Sequence, residues 1–513
     1  MGNSNSDVNG QKKTKLTPGA SLFLDTRCRK ISDKFHIVQI LGEGKMGKIA
    51  CVYKIKATYD HRDSFHNDLT CLSSRMKWET PIGKTNVKAP PSTIMALKSA
   101  KVEKDDLHFV KILRKELDIL KELDHPNIVK VFEIYNSSDK NIHGCLEFCS
   151  GGNLYSHFPE VDGKRHPFSE SDAAYLVYQL LSALAHMHAS GICHRDIKFE
   201  NVMMSNSKSR IVKIIDFGAA THFVEGEALC DPIGTVYTMA REVMTGNYNE
   251  KADIWSVGVM MYMMLSLTKP FYGKDKKDVA KKIMDGNFRF YSPKWAKMSH
   301  SSRDLIKNLI TKDPKERLSA SKALDHIWLK KFYCQESRIP NEASVDIILK
   351  SIESYCECNI VKKVGLNVLV QHIPSDDIID ITKVFDLWNV SHSGILTYSE
   401  FSNMINLPVE NKKQIFDGMK IQQHKGISYT EFVAAAVSDR KELVTGDLVW
   451  QAFDFLDNDC QGFIQLQRFI NILGQDFATQ ISVHRDIEDS FREGTLSWES
   501  FKQIFGCIDL KQK

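Results

Sequence analysis

The alternation of apolar and polar positions changes period several times along the chain. Near residue 40 the apolar runs HIVQIL and IACV flank a glycine-bearing segment, and residues 49–55 and 93–97 are rich in β-branched side chains, so strands are predicted there. Between them, 56–91 is polar and punctuated by PIGK and KAPPS, which predicts an inserted, largely disordered surface loop whose closure entropy grows only slowly with its length. LRKELDILKELDHPNIV follows with a helical period. At 257–267, VGVMMYMMLSL is a nearly pure apolar run of 11 residues. That is short of the roughly 20 needed to span a bilayer, and a buried helix is predicted. After residue 329, SVDIILKSIESYCECNIVKKVGLNVLVQHI predicts a helix long enough to run from one folded body into the next.

A chain of 513 residues exceeds what one hydrophobic core usually serves, so two or three domains are expected. With 42% hydrophobic and 26% charged residues it has the balance of a soluble globular protein. The net charge of +4 hides an asymmetry: residues 376–513 hold 21 acidic and 13 basic side chains, net −8, which leaves +12 on 1–375. A basic body suits phosphate ligands, while the lack of a Lys/Arg stripe with interleaved aromatics argues against nucleic acid. The 12 cysteines form neither a disulfide scaffold nor a repeated CxxC zinc arrangement, and reduced thiols are expected. MGNSNS fits the myristoylation pattern at Gly2, so a cytoplasmic protein with weak, reversible membrane association is expected.

The chemistry is concentrated in ordered motifs. Gly42, Gly44 and Gly47 form GxGxxG between two predicted strands, where missing Cβ atoms let a hairpin close over phosphates. A dinucleotide-binding turn would open into a helix, whereas 48–55 reads as strand. MALK places Lys98 at the end of the next strand, and the periodic helix carries Glu116. CHRDIKFEN and IIDFG then supply Asp196, Lys198, Asn201 and Asp216. In this order and spacing the sequence resembles a protein kinase. The resemblance implies that Lys98 pairs with ATP phosphates and is held by Glu116, that Asp196 orients and deprotonates the acceptor hydroxyl, that Lys198 stabilises the transferring phosphoryl group, and that Asn201 and Asp216 hold Mg²⁺.

It further implies nucleotide contacts at Ile49, Ala96, Leu146 (the gatekeeper), Glu147, Cys149 and Asn153, with 147–149 as the hinge. Asp253 and Arg317 match anchors of the C-terminal lobe, with Arg317 expected to pair with Glu242. Asp231 stands where the primary activation-loop phosphothreonine usually lies, so a fixed carboxylate is expected to face Arg195, and Thr235 reads as structural. Phe199 and Arg241 replace family prolines, and Asn153 replaces a glutamate that faces ribose and substrate in many basic-directed kinases. The KxEN loop favours serine/threonine, with Glu200 open to a substrate arginine.

The C-terminal third resembles a calmodulin-like domain, and the whole resembles calcium-dependent protein kinases, in which a junction helix plugs the substrate site. Four EF-hand-like loops start at Asn389, Lys420, Asp457 and Asp489, spaced 31, 37 and 32, which suggests two paired hands in each of two lobes. Their twelfth residues are Glu400, Glu431, Arg468 and Ser500, and no loop has a complete oxygen set. Weak Ca²⁺ binding, if any, is expected at the third loop through Asp457, Asp459, Gln461 and the Phe463 carbonyl.

The expected fold is therefore an α+β bilobal protein kinase followed by an all-α EF-hand domain. Its parts are a flexible leader at 1–34, a kinase domain at 35–329, a helical, autoinhibitory junction at 330–375 that contacts the EF-hand domain, and four degenerate hands at 376–508. The expected function is ATP- and Mg²⁺-dependent serine/threonine phosphorylation of proteins, with calcium responsiveness weak or lost. The alternatives are a calcium-independent kinase braced by its EF-hand domain and a pseudokinase scaffold. The intact catalytic set weighs against the scaffold.

Overall fold

The computed structural model describes residues 26–27, 35–44, 47–54, 94–100, 107–136, 140–291, 293–336, 342–421, 426–457, 461–473, 490–491 and 493–506. The expectations for the Gly2 leader, the 56–91 insertion, Asp459 and Asp489 lie outside the described residues.

Strands β1 (Thr26–Arg27), β2 (Phe35–Gly44), β3 (Gly47–Lys54), β4 (Ile94–Ala100), β5 (Val131–Asn136) and β6 (Ile142–Glu147) form one sheet in the order β1-β5-β6-β4-β3-β2. All its pairings are antiparallel except the short parallel β1–β5. Successive side chains point to opposite faces. Met95 and Leu97 therefore enter a small core with Phe35, Val52, Phe132 and Tyr135, while Ala96 turns to the other face and packs against the main core. Helix α1 (His108–Leu120) covers that second face with Leu113, Leu117 and Leu120, and Glu116 shares the buried stripe.

The larger lobe is built on α2 (Glu170–Ala189) and α3 (Lys251–Ser266). Ser169 caps α2 by accepting the Asp172 N–H. The apolar run expected to be a buried helix is the second half of α3, which is buried along nearly its whole length. Trp328 closes the lobe, its Nε1–H donating to Glu170 Oε2 at 2.7 Å. Bidentate Arg317–Glu242 bonds of 2.5 and 3.2 Å lie buried below the cleft.

The junction differs from the single long helix expected. It breaks at Asn359, whose side chain accepts the Lys362 N–H and caps a new helix, giving α4 (Glu342–Glu357) and α5 (Ile360–Leu369). Both bury their apolar faces among the hands, through Ile348, Ile352 and Tyr355 on α4 and Val361, Val364 and Leu369 on α5. The substrate plug implied by the resemblance is thus not the arrangement present: α4 lies against α6 (Val409–Met419) and α7 (Tyr429–Val437). Helix α5 passes so close to the last described helix that a Cβ on Gly365 would sit 2.6 Å from the Phe505 ring.

The hands pair two by two, as strand β7 (Ile395–Thr397) with β8 (Gly426–Ser428) and β9 (Phe463–Gln465) with β10 (Thr495–Ser497). Cys51, Cys145, Cys149, Cys193, Cys230, Cys356 and Cys358 are free thiols. Among the described residues no helix is long and apolar enough to cross a membrane.

Candidate active site

Sheet register assembles the upper half of the cleft. Gly42 lies opposite Ile49, Gly44 opposite Gly47, Ile49 opposite Lys98, and Ala96 opposite Leu146. Lys98 Nζ reaches Glu116 Oε1 and Oε2 at 2.6 and 2.8 Å and Asp216 Oδ1 at 3.3 Å. Burial works against the Lys98 charge, but Glu116 and Asp216 outweigh it and hold the ammonium above its usual range. Burial likewise opposes the Asp216 charge, and Lys98 pulls its carboxyl below the usual range. Asp216 sits at φ +63°, and the Phe217 ring tucks fully inside against His194 at 4.9 Å.

Below, Asp196 is fixed from both sides. Thr235 Oγ1 donates to its Oδ1 at 2.7 Å, and Lys198 Nζ donates to its Oδ2 at 2.6 Å and to Thr235 Oγ1 at 3.0 Å. Asn201 Nδ2 donates to the Asp196 carbonyl at 2.9 Å, which places its amide oxygen on the opposite side. Asp253, buried in α3, holds the loop from beneath by accepting the His194 and Arg195 N–H groups at 2.9 and 2.8 Å. Burial raises the cost of its charge, yet His188 and His194 keep its carboxyl below the usual range.

At the hinge, Leu146 and Cys149 are buried, and the Glu147 side chain turns away from the cleft to pair with Lys213 at 2.9 Å. Asn153 caps the short helix Leu154–His157 by accepting the Ser156 N–H, so its side chain serves the backbone first. Arg195 meets Asp231 at 3.5 Å, with Asp231 74% exposed, and also donates to the Ala219 carbonyl and the Tyr248 hydroxyl. The pairing is present but solvated.

Phe199 and Glu200 gain a physical reading. Phe199 is buried between Tyr155 and Phe158, where an aromatic ring does the packing. Glu200, expected open to a substrate arginine, accepts the Tyr237 hydroxyl at 2.7 Å. No contact explains Arg241.

The candidate calcium loops are largely satisfied by their own hydrogen bonds. Asn389 accepts from Ser391 Oγ and the Ser393 N–H, while Glu400 accepts the Ser391 and Thr397 N–H groups. Glu431 accepts the Ile421 and Ser428 N–H groups, and Lys420 pairs with Asp417 at 2.7 Å. Asp457 accepts the Gln461 and Gly462 N–H groups, Phe463 begins β9, and Arg468 lies 5.8 Å from the Phe455 ring centre. Among the described residues no cluster of three or more His, Cys, Asp or Glu stands ready for a metal.

Sequence reasoning overlooked Asp124, His186 and Asp376, which join the kinase lobe to the hands. Their partners are distant in sequence, so no local pattern shows that they meet.

The protein kinase domain pattern matches residues 84–329. The chain is 32% identical to calcium-dependent protein kinase 5 of Plasmodium falciparum, over 79% of this chain and 72% of that protein. It is 30% identical to calcium-dependent protein kinase 9 of Arabidopsis thaliana over 78% and 73%. Against calcium-dependent protein kinase 4 of Plasmodium falciparum the identity is 28%, over 97% of this chain and 90% of that one.

Proposed function

The chain belongs to the calcium-dependent protein kinase family, and from that premise we propose that it phosphorylates protein serine or threonine residues with a calcium response that is weak or lost. Family membership carries the use of ATP and Mg²⁺ and the action on protein substrates. The observation that carries the proposal is the continuous chain of bonds from Glu116 through Lys98 to Asp216, facing an Asp196 already aligned by Thr235 and Lys198.

In this reading Lys98, locked by Glu116, grips the ATP phosphates through point charge, under the backbone of Gly42, Gly44 and Gly47. The oxygen donors of Asn201 and Asp216 match the hard-ligand preference of magnesium, which supplies neutralisation of the phosphoryl charge when bound. Asp196 orients the acceptor hydroxyl and takes its proton as the hydroxyl oxygen bonds the γ-phosphorus and the bond from that phosphorus to the β–γ bridging oxygen breaks, with ADP leaving. Lys198 offsets negative charge on the transferring group. Ile49, Ala96 and Leu146 supply apolar surface for the base, and the backbone of Glu147 and Cys149 its polar edge. The KxEN loop supports an aliphatic hydroxyl as acceptor. The myristoylation pattern at Gly2 supports weak membrane association, since one acyl chain gives a constant of only about 10⁴ per molar.

The intact catalytic set favours this enzyme over a scaffold. Phosphoamino-acid analysis of a protein substrate incubated with full-length chain and Mg-ATP tests it. Phosphoserine or phosphothreonine is expected with wild type and none with Asp196→Asn. Phosphotyrosine alone, or transfer undiminished in the variant, overturns it.

A further inference from the structure

The first pair of hands rests on the back of the kinase lobe, away from the cleft, through a corner made of two kinase residues. Asp124 accepts the Thr430 N–H through Oδ2 and the Thr430 hydroxyl through Oδ1, both at 2.8 Å. Thr430 lies in the first turn of α7, where N–H groups lack intrahelical partners, so the kinase lobe caps a helix of the hands. The Asp124 N–H in turn donates to His186 Nε2 at 3.2 Å, and His186 Nδ1 meets the Ser393 carbonyl of the first loop at 2.8 Å. Gly394 passes directly over this ring: it has φ +76°, and a Cβ there would fall 2.2 Å from Nδ1. Asp376 adds bonds from Asn206 and Ser209 at 2.7 and 2.6 Å, and Phe132 stacks on His372.

None of these contacts needs a divalent ion. In the second loop the twelfth residue, Glu431, is committed to backbone N–H groups, and Lys420 occupies the first position. The hydrogen bonds also fix the state of His186. A carbonyl only accepts, so Nδ1 carries the proton; a peptide N–H only donates, so Nε2 must be bare. A second proton on Nε2 would set donor against donor at Asp124, the same residue whose carboxylate holds Thr430 of the hands.

We propose that the Asp124–His186 corner is a calcium-independent, acid-released latch, which holds the first pair of hands on the kinase lobe without a divalent ion and lets go when His186 takes a second proton.

The surroundings favour release on acidification. His186 stacks on His125, whose ring nitrogens meet Ser182 Oγ and the Asn127 N–H. Burial lowers the proton affinity of His186, only partly restored by the Ser393 carbonyl and the Asp124 charge. Burial also lowers that of His125, with His186, Lys213 and His392 adding to it. From the hands, His392 is lowered by burial, while Asp325 and Glu400 pull it upward and Lys330 downward. Docked, these rings are neutral; undocked, His186 loses the cover of Ser393 and Gly394, and the Asp124 carboxylate, free of Thr430, can turn to accept a proton-bearing Nε2. Docking therefore weakens below about pH 6.5 by up to about tenfold per pH unit as His186 takes up its proton. Glu431, pushed up to about 7 chiefly by burial, is bonded inside the hands, and the Asp124 charge across the contact is the least of its causes, so its proton opposes release only weakly.

Small-angle X-ray scattering of the full chain tests the latch without using turnover, so its failure leaves the catalytic reading untouched. At pH 7.5 the particle is expected to be equally compact in EGTA and in excess calcium, and at pH 5.5 to expand with unchanged far-UV circular dichroism. Thr430→Val, which deletes one hydroxyl bond to Asp124, should move the expansion midpoint upward by up to about one pH unit, tenfold in docking spread over one proton. His186→Gln should remove the pH step, whether docked or open throughout. Opening on calcium removal at pH 7.5, no opening at pH 5.5, expansion only with loss of dichroism, an unmoved midpoint in Thr430→Val, or a wild-type step in His186→Gln would each overturn it.

Discussion

Replacing Asp253 by Asn should unseat the catalytic loop without touching any group that meets substrate. The carboxylate is 1% exposed, and both of its oxygens are used. Oδ1 accepts the Arg195 N–H at 2.8 Å, while Oδ2 accepts the His194 N–H at 2.9 Å and lies 3.0 Å from His188 Nε2. An amide of the same shape keeps one acceptor. Whichever way it turns, its NH₂ confronts at least one of those N–H groups. One charge-assisted bond is lost, at about 1.5–3 kcal/mol, and one buried donor is left unpaired, at about 1–3 kcal/mol, so the cost is about 3–6 kcal/mol. Part of it should appear as lower stability and part as a misplaced Asp196. Because Lys98, Glu116 and the sheet are untouched, ATP binding should survive in the folded fraction. Urea denaturation gives the stability change, and turnover with ATP and peptide titrated separately gives kcat and each KM. The expected result is a lower midpoint and a lower kcat with the KM for ATP little changed. A variant within about 1 kcal/mol of wild type and with unchanged kcat would refute the role assigned to Asp253.

Asp231→Asn should reduce kcat/KM by no more than about fivefold, because an exposed ion pair is worth at most about 1 kcal/mol; steady-state kinetics on unphosphorylated protein checks this. The lobe should lose stability on acidification: His125 and His194 are held neutral by burial, the unfolded chain protonates them below about pH 6.5, and each then contributes a slope of up to about 1.4 kcal/mol per pH unit, readable from denaturation midpoints between pH 7.5 and 5.5. Arg468→Glu should create a calcium site in the third loop where wild type shows none tighter than about 1 μM in isothermal titration, since it replaces a cation with the missing bidentate carboxylate.

The kinase half was legible because its chemistry is written in short motifs whose register the sheet then enforces. Lys98 and Glu116 are 18 residues apart in sequence, yet the GxGxxG–strand–helix order was enough to pair them. The four hands were legible from glycine and phenylalanine spacing, even though their ligand sets had decayed. Other features were hidden because they depend on partners distant in sequence. The junction read as one helix because apolar periodicity runs through Asn359, whose capping of α5 becomes visible only once the backbone turns there. Glu200 read as free because nothing in the sequence shows Tyr237 folding back onto it. Asp124 and Thr430 are 306 residues apart, and nothing in the segments that hold them shows that they meet.

The central claim is a working kinase whose rate does not follow calcium, and it is tested most directly by phosphate transfer from ATP to a serine/threonine peptide by the full chain, in EGTA and in saturating calcium, with Asp216→Asn alongside. The account predicts rates within about twofold of each other in the two conditions and none in the variant. Stimulation by calcium of about tenfold or more, equivalent to ~1.4 kcal/mol of coupling between hands and cleft, or undiminished transfer by Asp216→Asn, would contradict it.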